Sequence, residues 1–279
     1  MSDTIETEID AIGVMTLKMN RPKVLNSLNS ELVGDMIAAL TDAATNDEVR
    51  AIVLTGNGRG FCAGADLAGG GWPSEEGMSP GDVTANAMEI GFNPLVRAVV
   101  NSPKPVVTAI NGVAAGGGVG LALSGDLVLA AESAKFRLVF AQQLGIIPDV
   151  GASWLVPNMI GRARANGLAL LGEDLRAQTA LEWGMLWEVV PDEALLAKAQ
   201  EYAGRLAQSP ITGIKATVRA HDKALLQSIE DQLEFEKEEQ RHYCNQPVFF
   251  EGVKAFIEKR KPNFREVETA QINAARESK

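Results

Sequence analysis

The chain has 279 residues, of which 46% are hydrophobic and 22% charged, so it is long enough to bury a substantial core. Its 36 acidic residues outnumber 26 basic ones and give a formal net charge of −10. This charge argues against nucleic acid or an anionic membrane surface as the main partner, whereas an anionic small ligand would need local bases to hold it.

The cysteines and the N-terminal segment bear on compartment. Cys62 and Cys244 lie far apart in unrelated contexts and indicate neither a disulfide framework nor a metal site. The segment MSDTIETEID is acidic and polar, unlike a signal or transit peptide, and no apolar run reaches membrane-spanning length. We therefore expect a soluble protein of a reducing cytoplasm.

The first part of the chain contains strand and helix patterns in turn. Residues 4–19 predict a hairpin of two short strands. A helix is predicted over 29–44, because its apolar residues recur at helical spacing and Asn29 or Ser30 can cap its start. The β-branched run at 50–55 predicts a strand buried on both faces.

The remaining chain contains a loop, a second strand–turn–helix pattern and a run of helices. Segment 68–82 is rich in Gly, Pro and Ser and predicts a mobile loop or lid. Segment 104–130 predicts a strand, a Gly-rich turn, a short helix and another strand. Helical patterns dominate afterwards, so we expect an α/β core over 1–205 and a helical C-terminal region over 206–279.

Two turns of small residues follow buried strands, CAGAD at 62–66 and AAGGGVG at 114–120. Such turns expose backbone N–H groups, and a helix starting at the turn adds a positive dipole. Neither contains the Gly-Lys-Ser/Thr of a P-loop, and Phe61 and Leu121 replace the third glycine of the Rossmann spacing. Nucleotide-phosphate binding is disfavoured. Tight strand–helix packing and an oxyanion hole with one N–H from each turn both stay open.

Four motifs resemble the enoyl-CoA hydratase/isomerase (crotonase) superfamily, in its order and spacing. They are NRPKVLNSLN (20–29), AIVLTGNGRGFCAGADL (51–67), KPVVTAINGVAAGGGVGLALSGDLVLAAESAKF (104–136) and GIIPDVGASWLVPNMIGRARA (145–165). The chain is most similar to the phenylacetate-pathway isomerase branch, through GRARANGLALLG and ALEWGMLWEVV. The resemblance implies a crotonase-like β-spiral of repeated ββα units with a helical C-terminal region. It also implies an acyl-CoA substrate, no cofactor beyond coenzyme A, and a homotrimer or a dimer of trimers.

The resemblance also implies the site residues. Two backbone N–H groups hold the thioester enolate in the family, and by motif these fall on Ala65 and Gly117. The positions implied to bind CoA are Lys23, Val24, Ala63, Asp66, Leu67, Phe256 and Lys259. In related proteins the residues matching Phe256 and Lys259 reach the CoA of a neighbouring subunit. Alternatives are a solvated basic cluster for Lys259 with Arg260 and Lys261, and a first-helical-turn position for Asp66 next to Ala65, where a helix can start.

The hydratases of the family use two glutamates, and both are missing here. The matching positions are Gly120 and a residue near Ala141. Asp149 remains, at a position where some branches, including the isomerase branch, place a catalytic carboxylate. Its apolar neighbours in the sequence would raise its pKa and make it a better proton acceptor near neutral pH. Alternatively, Asp149 caps the helix that follows.

A single carboxylate suits a proton shuttle better than the addition of water. We therefore expect an isomerase that shifts a double bond, or rearranges a ring epoxide, of an unsaturated acyl-CoA with Asp149 as acid and base. The alternatives are hydration or thioester hydrolysis by the same family, and a non-catalytic acyl-CoA-binding protein.

The other residues with reactive side chains have structural interpretations. His221 and His242 lie in charged helical segments without Ser or Cys partners for a triad, so we expect them at the surface. Cys62 is expected to pack beneath the first turn. The acyl pocket is expected between segment 68–92, with Trp72 and Met78, and the C-terminal helices.

Overall fold

The computed structural model describes residues 3–277. Its strands are β1 (Ile5–Ile9), β2 (Val14–Met19), β3 (Ala51–Gly56), β4 (Gly60–Cys62), β5 (Val106–Ile110), β6 (Val113–Ala115), β7 (Leu127–Ala131), β8 (Lys135–Arg137), β9 (Leu175–Arg176) and β10 (Glu188–Val190). Its α-helices are α1 (Ser30–Thr45), α2 (Pro80–Ala87), α3 (Asn93–Val100), α4 (Gly117–Leu123), α5 (Ala152–Leu171), α6 (Ala177–Glu182), α7 (Leu195–Ala207), α8 (Ile211–Ala224), α9 (Ile229–Tyr243), α10 (Pro247–Glu258) and α11 (Phe264–Glu277). In this described range, no helix has both the length and the apolar character needed to cross a membrane.

The strands form two sheets, and the chain alternates between them. The larger sheet has the order β1-β2-β3-β5-β7-β10 and the smaller one β4-β6-β8-β9. In each of the pairs β3–β4, β5–β6 and β7–β8, the first strand joins the larger sheet and the second joins the smaller. Neighbouring strands are parallel except for β1 with β2 and β8 with β9. This repeat, with helices between the pairs, confirms the predicted α/β spiral.

Local sequence accounts for the first elements. The β1–β2 hairpin turns where the Asp10 carboxylate accepts hydrogen bonds from two backbone amides and Gly13 has a φ of +89°. The side chain of Asn29 accepts a hydrogen bond from Leu32 N at 3.0 Å, so Asn29 rather than Ser30 caps α1. Every residue of β3 is buried, as expected for a parallel strand covered on both faces.

Helix α7 belongs to the core as much as the strands do. It packs on β2, β3 and β5, and its inward side carries small buried residues such as Ala199 and Ala203. The predicted division after residue 205 falls within this helix. After residue 205, the first residues outside regular secondary structure are 208–210, which separate α7 from α8.

The C-terminal helix α11 returns to the spiral through a buried ion pair. Arg50 and Glu268 are 2.7 Å apart, and each side chain is 6% exposed. The Arg50 guanidinium also donates to the carbonyl oxygens of Ala207 and Ser209. The pair joins residues that are 218 positions apart. The helical region is therefore anchored to the start of β3.

Candidate active site

The two glycine-rich turns lie against each other where β4 and β6 end. Gly64 has a φ of +87°, and a β-carbon placed on it would lie 2.8 Å from Ala115 O and 3.1 Å from Gly117 N. Only glycine permits so close a contact in this backbone conformation. The approach brings the amide groups of Ala65 and Gly117 to one region of the molecule.

The first turn differs from its predicted form. Ala65 forms an isolated bridge with Leu28, a turn follows over 67–69, and the next helix is α2. The expectation that a helix starts at Ala65 is wrong: the Asp66 carboxylate accepts hydrogen bonds from the Ala68 and Gly69 amides, as a helix N-cap does, but the chain forms only a turn there and no helix follows directly. Only the second turn has a helix start, where Gly117 is the first residue of α4.

A cavity of about 210 Å³ opens beside both turns. Ala65, Gly117 and Asp149 all line it. The other walls are mostly apolar and consist of Ala63, Asp66, Leu67, Trp72, Val83, Thr84, Ala87, Phe92, Gly116, Val139, Phe140, Leu144 and Ile146. This volume lies below the roughly 300–1,000 Å³ typical of pockets for drug-sized ligands, so the cavity can enclose only a small group.

The amides of Ala65 and Gly117 are available to a ligand. Neither N–H donates a hydrogen bond to any residue between 3 and 277. A backbone donor beside a cavity is expected to find a partner, either water or a bound oxygen. The structure therefore brings together, at one cavity, the two donors predicted to form an oxyanion hole.

Asp149 lies next to the second turn. A β-carbon placed on Gly117 would lie 3.3 Å from Asp149 Oδ1. Burial raises the pKa of Asp149 to about 6, against a smaller lowering effect of its own backbone N–H. The expected apolar wall is only partly present, because Ile147 is 80% exposed whereas Val150 is buried and Ile146 lines the cavity. A carboxylate with this pKa is mostly ionised at neutral pH and more basic than an exposed aspartate.

The prediction that Asp149 caps a helix is wrong. The N-cap of α5 is Gly151, which makes no side-chain capping hydrogen bond. Val150 has a φ of +50°, a strained conformation for a β-branched residue, and Gly151 has a φ of +80°. These two left-handed residues separate the Asp149 carboxylate from the helix start, and the carboxylate lines the cavity instead.

Neither position of the hydratase glutamates holds an acid, and at Gly120 the main chain leaves no room for one. A β-carbon placed on Gly120 would lie 1.9 Å from Val150 O, so no side chain fits at this position. Ala141 is exposed, and its neighbour Phe140 lines the cavity instead. Hydratase-like chemistry would therefore lack both glutamates.

Asp66 is the other acid at the cavity, and it is already paired. Its carboxylate lies 2.9 Å from the Arg21 guanidinium. Burial raises the pKa of Asp66, but hydrogen bonds from Arg21 and from the Gly69 and Ala68 amides outweigh this effect and leave the pKa below its usual range. Asp66 thus holds the first turn in shape. Within the described chain, Asp149 is the cavity acid without a cationic partner.

The remaining predicted CoA-binding residues divide into two groups. Ala63 and Leu67 line the cavity, with Leu67 78% exposed at its rim. Lys23 and Val24 lie outside the cavity in the helical turn Pro22–Val24, next to the first turn, where Ala63 N donates to the carbonyl of Leu25. Lys23 and Val24 are thus close in the chain to a residue bonded to the cavity wall, and their contact with CoA stays a prediction.

Phe256 and Lys259 lie apart from this cavity. Phe256 is 85% exposed and lines a larger groove of about 430 Å³ among α8, α9 and α10, and the described residues of its walls include no acidic or basic one. Arg260 is held by Glu251 and Glu258, so it does not form a free basic cluster with Lys259. A role of Phe256 and Lys259 at a neighbouring subunit stays a prediction.

The structure confirms some of the other expectations and contradicts others. Trp72 lines the cavity but Met78 does not, because the Met78 sulfur accepts a hydrogen bond from Glu75 N. No described residue after Asp149 lines the cavity, so the C-terminal helices of the same chain do not form its wall. Cys62 is fully buried, which raises the pKa of its thiol to about 12 and excludes a thiolate nucleophile.

Part of the wall was missed in the sequence. Val83 and Ala87 face the cavity from α2, four residues apart. A capping box formed by Ser79 and Asp82 starts this helix. The pattern Ser-Pro-Gly-Asp before apolar residues at helical spacing is the signal that predicts it. Segment 80–82 is thus helical, and only 68–79 is irregular.

Comparison with known proteins shows that the similarity to the enoyl-CoA hydratase/isomerase family covers most of the chain. Residues 10–267 match the family model described as enoyl-CoA hydratase/isomerase. A protein of Escherichia coli (strain K12) named 1,2-epoxyphenylacetyl-CoA isomerase is 46% identical over 258 residues, which cover 90% of this chain and 95% of that protein. A Rhodobacter capsulatus protein named "Probable enoyl-CoA hydratase" is 40% identical over 94% of this chain and 97% of its own. The crystal structure of an enoyl-CoA hydratase from Bacillus anthracis has a TM-score of 0.85 at 32% identity, covering 94% of this chain and 99% of that chain.

Proposed function

The chain belongs to the enoyl-CoA hydratase/isomerase family, and from that membership we propose that it isomerises an unsaturated acyl-CoA thioester. The observation that carries the proposal is the set of groups at the cavity. Two backbone amides and one carboxylate of raised pKa line the same small space, and none of the three has a hydrogen-bond or ionic partner in another residue among 3–277. The relative with 46% identity is named as an isomerase, which supports the same class of reaction.

The proposed reaction is a proton transfer between two carbons of the acyl group. Asp149 removes a proton from the carbon α or γ to the thioester carbonyl. The N–H groups of Ala65 and Gly117 stabilise the enolate oxygen; loss of one such donor costs about 3–4 kcal/mol of transition-state stabilisation. Asp149 then returns the proton to the other carbon, and the double bond moves. The reaction needs no cofactor beyond the CoA part of the thioester.

The substrate of this reaction is proposed to carry a compact, ring-sized acyl group. The cavity is small, and Trp72, Phe92 and Phe140 contribute aromatic surface to it. The name of the 46% identical relative specifies a phenylacetyl-CoA epoxide, so rearrangement of a ring epoxide is a further case of the proposal.

Hydration is the second candidate, favoured by the name of the 40% identical relative. It requires a second group that orients water. Gly120 has no room for one, and Asp66 is paired with Arg21. We therefore place hydration behind isomerisation.

Product analysis distinguishes the candidates. The wild-type protein is given a 3-enoyl-CoA and crotonyl-CoA, and products are separated by liquid chromatography. We expect conversion of the 3-enoyl-CoA to the 2-enoyl isomer, and its loss in Asp149→Asn, with Asp42→Asn on the exposed side of α1 as a matched control. Hydrated crotonyl-CoA, formed at an undiminished rate in Asp149→Asn, would contradict the proposal. Thioester binding without turnover would indicate a binding protein instead.

We propose that the active form is a homotrimer or a dimer of trimers, placed in the cytoplasm. Large apolar side chains in the C-terminal region support assembly, because Leu226, Phe256 and Ile257 are each more than 70% exposed. Asp66, Lys23 and Val24 would then border the CoA chain at the cavity mouth. Light scattering after size-exclusion chromatography tests the subunit number.

A further inference from the structure

We propose that Trp72 sets the size of the acyl group that the cavity accepts, and that Gly91 is the positioning residue that keeps Trp72 out of the cavity. The inference rests on the proposed function, because it takes this cavity as the acyl site. Trp72 is half-buried and lines the cavity together with Ala65, Gly117 and Asp149. Its indole therefore forms a wall of the space that also contains the proposed catalytic groups.

Gly91 makes room for the outer ring of the indole. A β-carbon placed on Gly91 would lie 2.3 Å from Trp72 Cη2 and 2.4 Å from Trp72 Cζ3. Gly91 is buried in the π-helical turn Met88–Phe92, between α2 and α3. Its φ lies in the range that alanine adopts readily, so the requirement for glycine comes from the indole and not from the backbone.

Two other residues lie against the indole. The ring of Phe92 contacts it edge-on, with centroids 4.8 Å apart. On the pyrrole side, a β-carbon placed on Gly70 would lie 2.9 Å from Trp72 Cδ1. Because the indole already lines the cavity, we infer that an indole displaced from Gly91 moves into it.

The backbone that carries Trp72 is held on both sides. Ser30 donates from its N–H to Gly70 O at 2.9 Å and from its hydroxyl to Gly71 O at 2.8 Å. The Asn86 side chain donates to Pro73 O at 3.2 Å. These bonds limit any shift of the main chain that would let Trp72 retreat. A side chain added at Gly91 is therefore expected to reduce the cavity.

The test measures binding, which does not require turnover. Dissociation constants of phenylacetyl-CoA and acetyl-CoA are determined by calorimetry for the wild type, Gly91→Ala and Trp72→Ala, and for the double variant. We expect Gly91→Ala to weaken phenylacetyl-CoA binding about tenfold more than acetyl-CoA binding, a difference of about 1.4 kcal/mol, because the displaced indole takes space that the larger acyl group needs. In the Trp72→Ala background, Gly91→Ala should change the ratio of the two constants less than about twofold.

A matched control and a second ligand keep the outcome decisive. Gly34→Ala places the same β-carbon on a helix at a site with nothing within 4 Å, and it should leave the ratio unchanged. If Gly91→Ala does not fold, Trp72→Ala alone still tests the wall, because it should improve binding of octanoyl-CoA relative to acetyl-CoA. An unchanged ratio in Gly91→Ala, or an equal effect with and without Trp72, overturns the inference. Absence of turnover in the wild type would refute the proposed function while leaving these binding ratios interpretable.

Discussion

Replacing Asp149 with asparagine should make the protein more stable at alkaline pH and less active. Folding raises the pKa of Asp149 from its ordinary value of 3.8 to about 6 because burial disfavours the charged form. The native state then binds more protons than the unfolded state between these values, so the free energy of unfolding falls as pH rises. The destabilisation is absent below about pH 4 and complete above about pH 7. An asparagine at this position cannot ionise, so the variant does not undergo this destabilisation.

The size of the effect follows from the pKa. A rise from 3.8 to about 6 corresponds to about 3 kcal/mol. Solvent reaches part of this half-buried side chain and screens its charge, so we expect a gain of about 1–2 kcal/mol for Asp149→Asn at about pH 8. At about pH 4 the two proteins should differ by less than about 0.5 kcal/mol.

Urea unfolding followed by circular dichroism measures this difference at about pH 4, 6 and 8, at one protein concentration throughout. Asp42→Asn, on the exposed side of α1, reports any general effect of removing a negative charge. A stability difference that does not change with pH would refute the reasoning about burial. So would a variant that is less stable than the wild type at about pH 8.

Three further predictions concern Asp149, the contact of Gly120 with Val150, and the buried pair of Arg50 and Glu268. The logarithm of kcat/KM for 3-enoyl-CoA isomerisation should fall below about pH 6 with unit slope as Asp149 takes up a proton, and Asp149→Asn should lose about 10²–10⁴-fold in rate. Gly120→Ala should lose about 3 kcal/mol of stability in urea unfolding, because its β-carbon would lie 1.9 Å from the backbone oxygen of Val150. Glu268→Ala should lose about 3–5 kcal/mol in the same assay, because it leaves the buried charge of Arg50 unpaired.

Each of these predictions has a control and a contradicting result. A pH profile that stays flat between about pH 5 and 8 would remove Asp149 from the rate-determining proton transfer. Gly167→Ala adds a β-carbon on α5 with nothing within 4 Å, and equal losses in the two glycine variants would contradict the clash at Gly120. Arg276→Ala breaks an exposed ion pair between α11 and Asp47, and it should cost less than about 1 kcal/mol. If Arg276→Ala lost as much stability as Glu268→Ala, burial of the ion pair would not explain the size of the loss.

Sequence patterns predicted the α/β core because strands and helices leave local or repeated signals, whereas the spiral and the meeting of the two turns were implied by the family resemblance. The formation of strand β3 and the capping of helix α1 by Asn29 each depend on residues within a few positions of each other. The glycines of both turns are required by contacts that fall inside the quoted motifs. Their roles in binding an oxygen stay a prediction.

The sequence did not reveal features that depend on distant residues or on unusual backbone. The Arg50–Glu268 pair spans most of the chain, and nothing near either residue marks the other. Asp149 was compatible with a helix cap because a left-handed valine after it is rare and has no sequence signal. The contact of Gly91 with Trp72 likewise joins a helical turn to an irregular loop.

Val150 packs against both Gly117 and Gly120 of the second turn. Its side chain occupies the space above Gly117, where a β-carbon would lie 2.6 Å from Val150 Cγ2, and its carbonyl occupies the space above Gly120. An acid introduced at position 120 would therefore dislodge the acid at 149. Isomerisation with Asp149 and hydration with an acid at position 120 therefore require different main-chain conformations. A variant designed to add water would first need a different backbone over residues 148–151.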